Sequence, residues 1–286
     1  MLWVGLSLLT ALSLALSDAL LKKALRAENE TYLAWLRLLL ALPLLLLALA
    51  FTERPPLDEH FFRAFLLALP LEVAALLLYV RAIRMSPLGL TLPFLAFTPV
   101  LLILFGYAIA GERVSLPGVA GIALMSLGSY SLNLQEARKG FLEPFKALGR
   151  QKGPLLMMAV ALIYSLTSSL GKVAIVHSSA LFFGATYFVA VTGALAPFAL
   201  RRRRPLGGRD LRYVALSGLL YGLMIITHML AMSMAKVAYM IALKRTSVLF
   251  GVLLGHWMFQ EAHVRVRLLG ATLMLLALLL ISTAGP

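Results

Sequence analysis

The sequence predicts an all-α membrane protein of ten transmembrane helices, arranged as two inverted five-helix repeats. Three observations predict it. Of 286 residues, 61% are hydrophobic and only 13% charged, a balance foreign to soluble domains. The charged residues gather in short clusters between apolar runs long enough to cross a hydrocarbon core of about 30 Å, which takes ~20 helical residues. The second half of the chain also repeats the pattern of the first. Backbone groups in lipid must pair within their own segment, so Leu- and Ala-rich runs of this length read as helices rather than the alternating strands of a barrel.

Taken in order, the runs place helices at about 2–22, 32–51, 61–81, 86–109, 115–134, 154–174, 180–200, 211–233, 236–259 and 266–283. The first has no Lys or Arg ahead of it, unlike a secretory leader, and is expected to be retained. Pro93 and Pro99 remove backbone donors inside the fourth, which predicts a kink or carbonyls opened to a cavity. Glu112 and Glu261 close the fourth and ninth, where turn formation or capping is their expected structural role.

The net charge of +14 does not point to nucleic acid, because the basic residues sit at the ends of apolar runs. The loops joining helices one to two, three to four, five to six, seven to eight and nine to ten hold most of the Lys and Arg, Arg201 to Arg204 being the strongest cluster. Those loops are expected in the cytoplasm and both termini on the opposite side. The composition suggests the plasma (inner) membrane of a prokaryote, with the lipid bilayer as a partner and a monomer compatible with the sequence. Cysteine is absent, which excludes disulfides, iron–sulfur ligation and thiol chemistry.

The longest connection, about 135–153, divides the chain into a first repeat at 1–140, a cytoplasmic linker at 141–153 and a second repeat at 154–286. Laying Met85 over Met234 without a gap superposes Arg63 on Arg212, Tyr79 on His228, Gly106 on Gly255, Glu112 on Glu261 and Gly121 on Gly270. One further residue of shift sets Lys22 on Lys172. Five helices per repeat reverse the second copy in the membrane, the architecture many secondary transporters use to build two states around a midplane site.

With these features the chain resembles the EamA-like transporters of the drug/metabolite transporter superfamily. The resemblance rests on Gly111-Glu112 followed by Gly118 and Gly121, and on Ala238 to Glu261 followed by Gly270. Arg37 matches a frequent Arg-Phe pair, although Leu38 replaces the Phe. The resemblance implies the two-repeat fold and a transport role, and leaves the substrate open.

Ionisable groups at the middle of a membrane helix cost ~2.5–3.5 kcal/mol each, so each needs a partner, a cavity or a function. Lys244 and Arg245 lie near the centre of the ninth helix, and Glu72 near the centre of the third. These three are the leading substrate-binding candidates, with Ser247, Tyr221 and His228; a structural ion pair is the alternative for Glu72 and Lys244. Glu72 and His228 are the candidates for proton coupling, with a hydrogen-bonded core histidine the alternative reading of His228. Lys244, Ser247, Gly251 and Gly255 share one face at helical spacing, and the two glycines are read as structural, admitting a close neighbour. Asp18 and Arg37 are expected to form a structural salt bridge. Tyr164, Tyr187, Tyr239 and Trp35 are further residues that can line a cavity or anchor helices.

The expected function is a secondary transporter moving a small organic metabolite by alternating access, an amino acid or related zwitterion or anion being favoured and export possible. An intramembrane enzyme, or a scaffold or channel with a buried ion-pair network, is the alternative. No nucleophile–base pair or Walker loop is present, and His177, His228, His256 and His263 show no paired metal-ligand spacing. No enzyme activity, metal or cofactor is therefore expected.

Overall fold

The structure is a computed structural model, and it describes residues 1–24, 30–86, 88–133, 142–201, 207–259 and 268–285. Thirteen α-helices and one 3₁₀ segment run through them. They are α1 (Leu2–Ala24), α2 (Glu30–Ala50), α3 (Glu59–Met85), α4 (Leu88–Thr91), the 3₁₀ segment (Leu92–Phe97), α5 (Thr98–Ala110) and α6 (Leu116–Asn133). After them come α7 (Glu143–Leu148), α8 (Lys152–Val176), α9 (Ala180–Leu200), α10 (Gly208–Met234), α11 (Val237–Lys244), α12 (Ser247–Phe259) and α13 (Leu268–Thr283). No strand occurs among the described residues. Among the described residues, eight stretches are long and apolar enough to cross a membrane: α1, α2, α3, Leu92–Ala110, α8, α9, α10 and Val237–Leu254. Two further apolar helices, in α6 and α13, are shorter and pack along each other.

Two runs expected as single helices are interrupted. The first, expected over 86–109, becomes α4, a 3₁₀ stretch and α5. Pro93 enters the 3₁₀ stretch and Pro99 the first turn of α5; neither has an N–H for the ladder, so the chain tightens instead of continuing as α. The second, expected over 236–259, breaks between Lys244 and Ser247. There the N–H groups of Arg245, Thr246 and Val248 each donate to the carbonyl three residues back, and the Thr246 hydroxyl adds a bond to the Leu243 carbonyl at 2.7 Å. The assumed continuous face through Lys244, Ser247 and Gly251 is therefore lost. The two breaks coincide in the repeat register, in which Lys244 superposes on Leu95 of the 3₁₀ stretch.

Helix pairing follows the same register. α1 packs most extensively on α10, and α3 on α8; exchanging the repeats turns each pair into the other. The α1–α10 seam is held by hydroxyls, with Thr10 to Thr227 at 2.8 Å and reciprocal bonds between Ser17 and Ser217, each hydroxyl donating to the other's carbonyl at 2.8 Å. Between helices in lipid, where burial of apolar surface gives little drive, such bonds and close packing carry association. Small residues supply the packing elsewhere. A Cβ on Gly128 of α6 would lie 2.7 Å from the Gly270 carbonyl oxygen of α13, and one on Gly218 of α10 only 2.6 Å from Leu40 of α2. Gly251, expected to do this on α12, is exposed and meets nothing within 4 Å among the described residues.

One pairing is unequal. α2 packs extensively on α10, whereas the corresponding pair, α9 and α3, meets far less. The two repeats are thus not in equivalent arrangements. α7 lies within the expected linker, on α8, its Phe145 ring set edge-on to Phe94 and Phe97.

Candidate substrate site at the broken helices

The interruption between α11 and α12 places Lys244 and Arg245 inside the molecule rather than at a surface. Lys244 ends α11, where helix carbonyls lacking intrahelical partners favour a cation. Around it converge groups from α1, α2, α3, α8 and α10. The Lys244 ammonium lies within electrostatic reach of Glu72, Asp18, Arg37 and Arg245, and Glu72 faces Thr167 of α8. Tyr79 of α3, Tyr164 of α8 and Tyr221 of α10 complete the ring, within reach of the same charges. Glu72, Tyr79, Tyr164, Tyr221, Lys244 and Arg245 all lie deep in the chain yet are only half-buried.

Asp18 and Arg37 meet directly, Nη1 to Oδ1 at 2.5 Å, and the Arg37 guanidinium lies 4.1 Å over the Tyr221 ring, close enough for cation–π attraction. The Asp18 side chain is 57% exposed and that of Arg37 15%. The expected Glu72–Lys244 pairing takes a looser form: the two are electrostatic neighbours, but no direct ion pair joins them within 4.0 Å. His228 of α10 is buried beside Lys244. Its Nδ1, together with Nε of Arg37 and of Arg245, has no hydrogen-bond partner among the described residues. Buried polar atoms without partners are costly, which makes these three candidates for contact with water or a polar solute. Ser247 opens α12 directly after the charged turn.

Other candidates are placed away from this cluster. Tyr187 donates to the Ala68 carbonyl at 3.2 Å and Trp35 to the Thr192 carbonyl at 2.9 Å; both tie helices together. Gly255 lies within α12, and Glu261 falls outside the described residues. An apolar crevice bounded by Leu45, Gly184, Ile225 and Met229 offers no charged group to orient a solute.

Glu112 does more than end its own helix. Gly111 terminates α5 in the left-handed region at φ 69°, which turns Glu112 towards α11. Its Oε2 accepts from the Val237 N–H at 2.7 Å, the first orphan donor of α11, and its Oε1 lies 3.4 Å from Lys172 Nζ of α8. Lys172 in turn donates to the carbonyls of Met232 at 2.6 Å and Ala235 at 2.8 Å, the open end of α10. One ion pair therefore caps two helix ends and binds α5, α8, α10 and α11 at the end of the bundle where Trp3 stacks on Tyr239. Beside it, the fully buried Tyr239 bonds through its hydroxyl to Ser115, which approaches by its N–H at 3.1 Å and its Oγ at 3.0 Å. Sequence reasoning missed the part played by Lys172. The available signal was its coincidence with Lys22 in the repeat.

No curated protein matches this chain. Among solved structures, one that is 18% identical superposes with a TM-score of 0.79 over 99% of this chain and 97% of its own, which shows that the fold is shared. The model of the EamA-like transporter family matches residues 1–134 and again 151–283. With two family repeats covering nearly all of its length, this all-helical chain belongs to the EamA-like transporter family.

Proposed function

We propose that the chain is a secondary carrier for a small organic solute bearing a carboxylate or another anionic group, with zwitterions such as amino acids the favoured class. The observation that carries this reading is the convergence of Lys244, Arg245, Arg37, Glu72 and Asp18 from separate helices around the α11–α12 break. Broken helices that bring charge to mid-membrane are how carriers of this architecture hold solutes. In the working mechanism Lys244 and Arg245 draw the anionic group, aided by low local polarity. Glu72 receives an ammonium or balances the cations when the site is empty, and the tyrosines line the walls. Glu72 and His228 remain the candidates for proton coupling.

Ten membrane crossings, with α6 and α13 as the fifth and tenth, complete the proposed topology. The basic loops, including the α7 linker, then face the cytoplasm of a prokaryotic cell, and both termini face outward. On that orientation the Glu112–Lys172 lock and Tyr239 seal the outer side, while the exposed Asp18 marks the inner opening, so the described arrangement faces inward. Exchange of the two repeats supplies the other state: α3 closes on α9 as α2 loosens from α10.

The Asp18–Arg37 contact favours a second reading for that one pair, a structural bridge. Transport separates the roles. In proteoliposomes, Lys244→Met and Glu72→Gln variants that fold normally are expected to lose solute counterflow at least ~100-fold, the equivalent of ~2.7 kcal/mol. Undiminished counterflow in both variants would sink the proposal.

A further inference from the structure

Away from the central cluster, on the side where the termini lie, Asp58, His60 and His177 come together although the chain separates Asp58 from His177 by 119 residues. The approach arises from the α3–α8 packing, which sets the start of α3 beside the end of α8. Asp58 is the N-cap of α3, and its Oδ1 accepts the Phe61 N–H at 3.0 Å. That bond fixes the carboxylate and leaves Oδ2 for other partners. Both imidazoles turn Nδ1 towards this oxygen, His177 at 2.7 Å and His60 at 3.4 Å. The rings stack with centroids 4.7 Å apart and planes within 17°. All three donor atoms lie within 4.8 Å of one another.

We propose that Asp58, His60 and His177 form a binding site for a divalent transition metal of the zinc class, which staples the start of α3 to the end of α8. Two imidazoles and one carboxylate are the donor set of three-ligand zinc sites, which keep a fourth position for water. Ligands at zinc bond lengths on a tetrahedral ion stand about 3.3 Å apart, close to the 3.4 Å between His60 Nδ1 and Asp58 Oδ2. The 2.7 Å between His177 Nδ1 and Asp58 Oδ2 opens to that separation by a small rotation of the exposed Asp58 side chain. Asp58 and His60 are exposed and His177 half-buried, so the ion enters from water. Sequence spacing conceals the site, because its two histidines lie on different repeats and only tertiary packing pairs them. None of the three belongs to the charged cluster proposed to bind solute, and the site stands or falls apart from that reading.

The test is calorimetric titration of ZnCl₂ into tag-free protein in detergent, with thermal melting as a second readout. The native chain is expected to take up one Zn²⁺ with micromolar affinity and to melt higher with it. Asp58→Asn keeps the oxygen that caps α3 but replaces Oδ2 with an amide nitrogen, so it is expected to fold and to bind at least 10-fold more weakly. His60→Ala, at an exposed position, is expected to do the same. Co²⁺ in place of Zn²⁺ is expected to give the intense visible bands of a tetrahedral site in the native chain alone. No binding up to millimolar Zn²⁺, or equal binding by the native chain, Asp58→Asn and His60→Ala, would overturn the proposal.

Discussion

Removing the Glu112 carboxylate probes how the ends of α5, α8, α10 and α11 are held together. The pair with Lys172 is largely shielded, with side-chain exposures of 12% and 11%. Two effects add. The charge-assisted bond from the Val237 N–H, 2.7 Å long, is of a kind worth ~1.5–3 kcal/mol. Removing one partner of a buried ion pair costs ~3–5 kcal/mol, because the other charge is left without compensation. Here Lys172 retains two carbonyl acceptors, which places Glu112→Ala at the lower end, about 3 kcal/mol. Glu112→Gln keeps an acceptor oxygen for Val237 and loses only the charge, so about 2 kcal/mol is expected. A lock specific to one conformational state passes that energy to the equilibrium between states, where 2 kcal/mol is a shift of ~30-fold. Thermal unfolding in detergent is expected to rank native above Glu112→Gln above Glu112→Ala. A double-mutant cycle with Lys172→Met is expected to show coupling above ~1 kcal/mol. Equal melting of all three proteins, or additive behaviour in the cycle, would refute the reasoning.

Further outcomes follow from other contacts. Gly128→Ala drives a Cβ to 2.6 Å from Met274 and 2.7 Å from the Gly270 carbonyl, an overpacking expected to cost ~1–3 kcal/mol in thermal melts; Gly5→Ala, with nothing within 4 Å, is the control expected to stay neutral. Arg37→Lys keeps the charge beside Asp18 but gives up the flat guanidinium stacked on Tyr221, and a loss of ~0.5–2 kcal/mol is expected. Because the native chain has no cysteine, Ser247→Cys carries a single thiol at the start of α12. Membrane-impermeant reagents are expected to modify it faster from the linker side than from the termini side, and the opposite order would contradict the proposed inward-facing state.

Much of the fold was legible because its determinants are one-dimensional. Apolar run length located the spans, and the coincidence of Glu112 with Glu261 and Gly121 with Gly270 exposed the repeat. The breaks were only half legible. Pro93 and Pro99 announced one, but the turn at Lys244 to Thr246 depends on tertiary charge contacts and a threonine back-bond that no propensity encodes. Lys244, Arg245 and Glu72 stood out because charge is expensive in mid-membrane, and the structure gathers them. Their tyrosine walls, and the use of Lys172 to cap α10, depend on which helix faces meet. Gly251 shows the opposite error: small residues at helical spacing license a close approach but do not say that a neighbour takes it.

The most direct test of a solute site at the α11–α12 break is a thermal-shift screen of purified protein. The panel holds amino acids, carboxylates and amines at millimolar concentration, and the screen is repeated on Lys244→Met and Glu72→Gln. The account predicts stabilisation by a carboxylate-bearing class in the native chain, abolished by Lys244→Met and weakened by Glu72→Gln. Stabilisation that survives both substitutions at full size, or a panel without effect on the native chain, would contradict it.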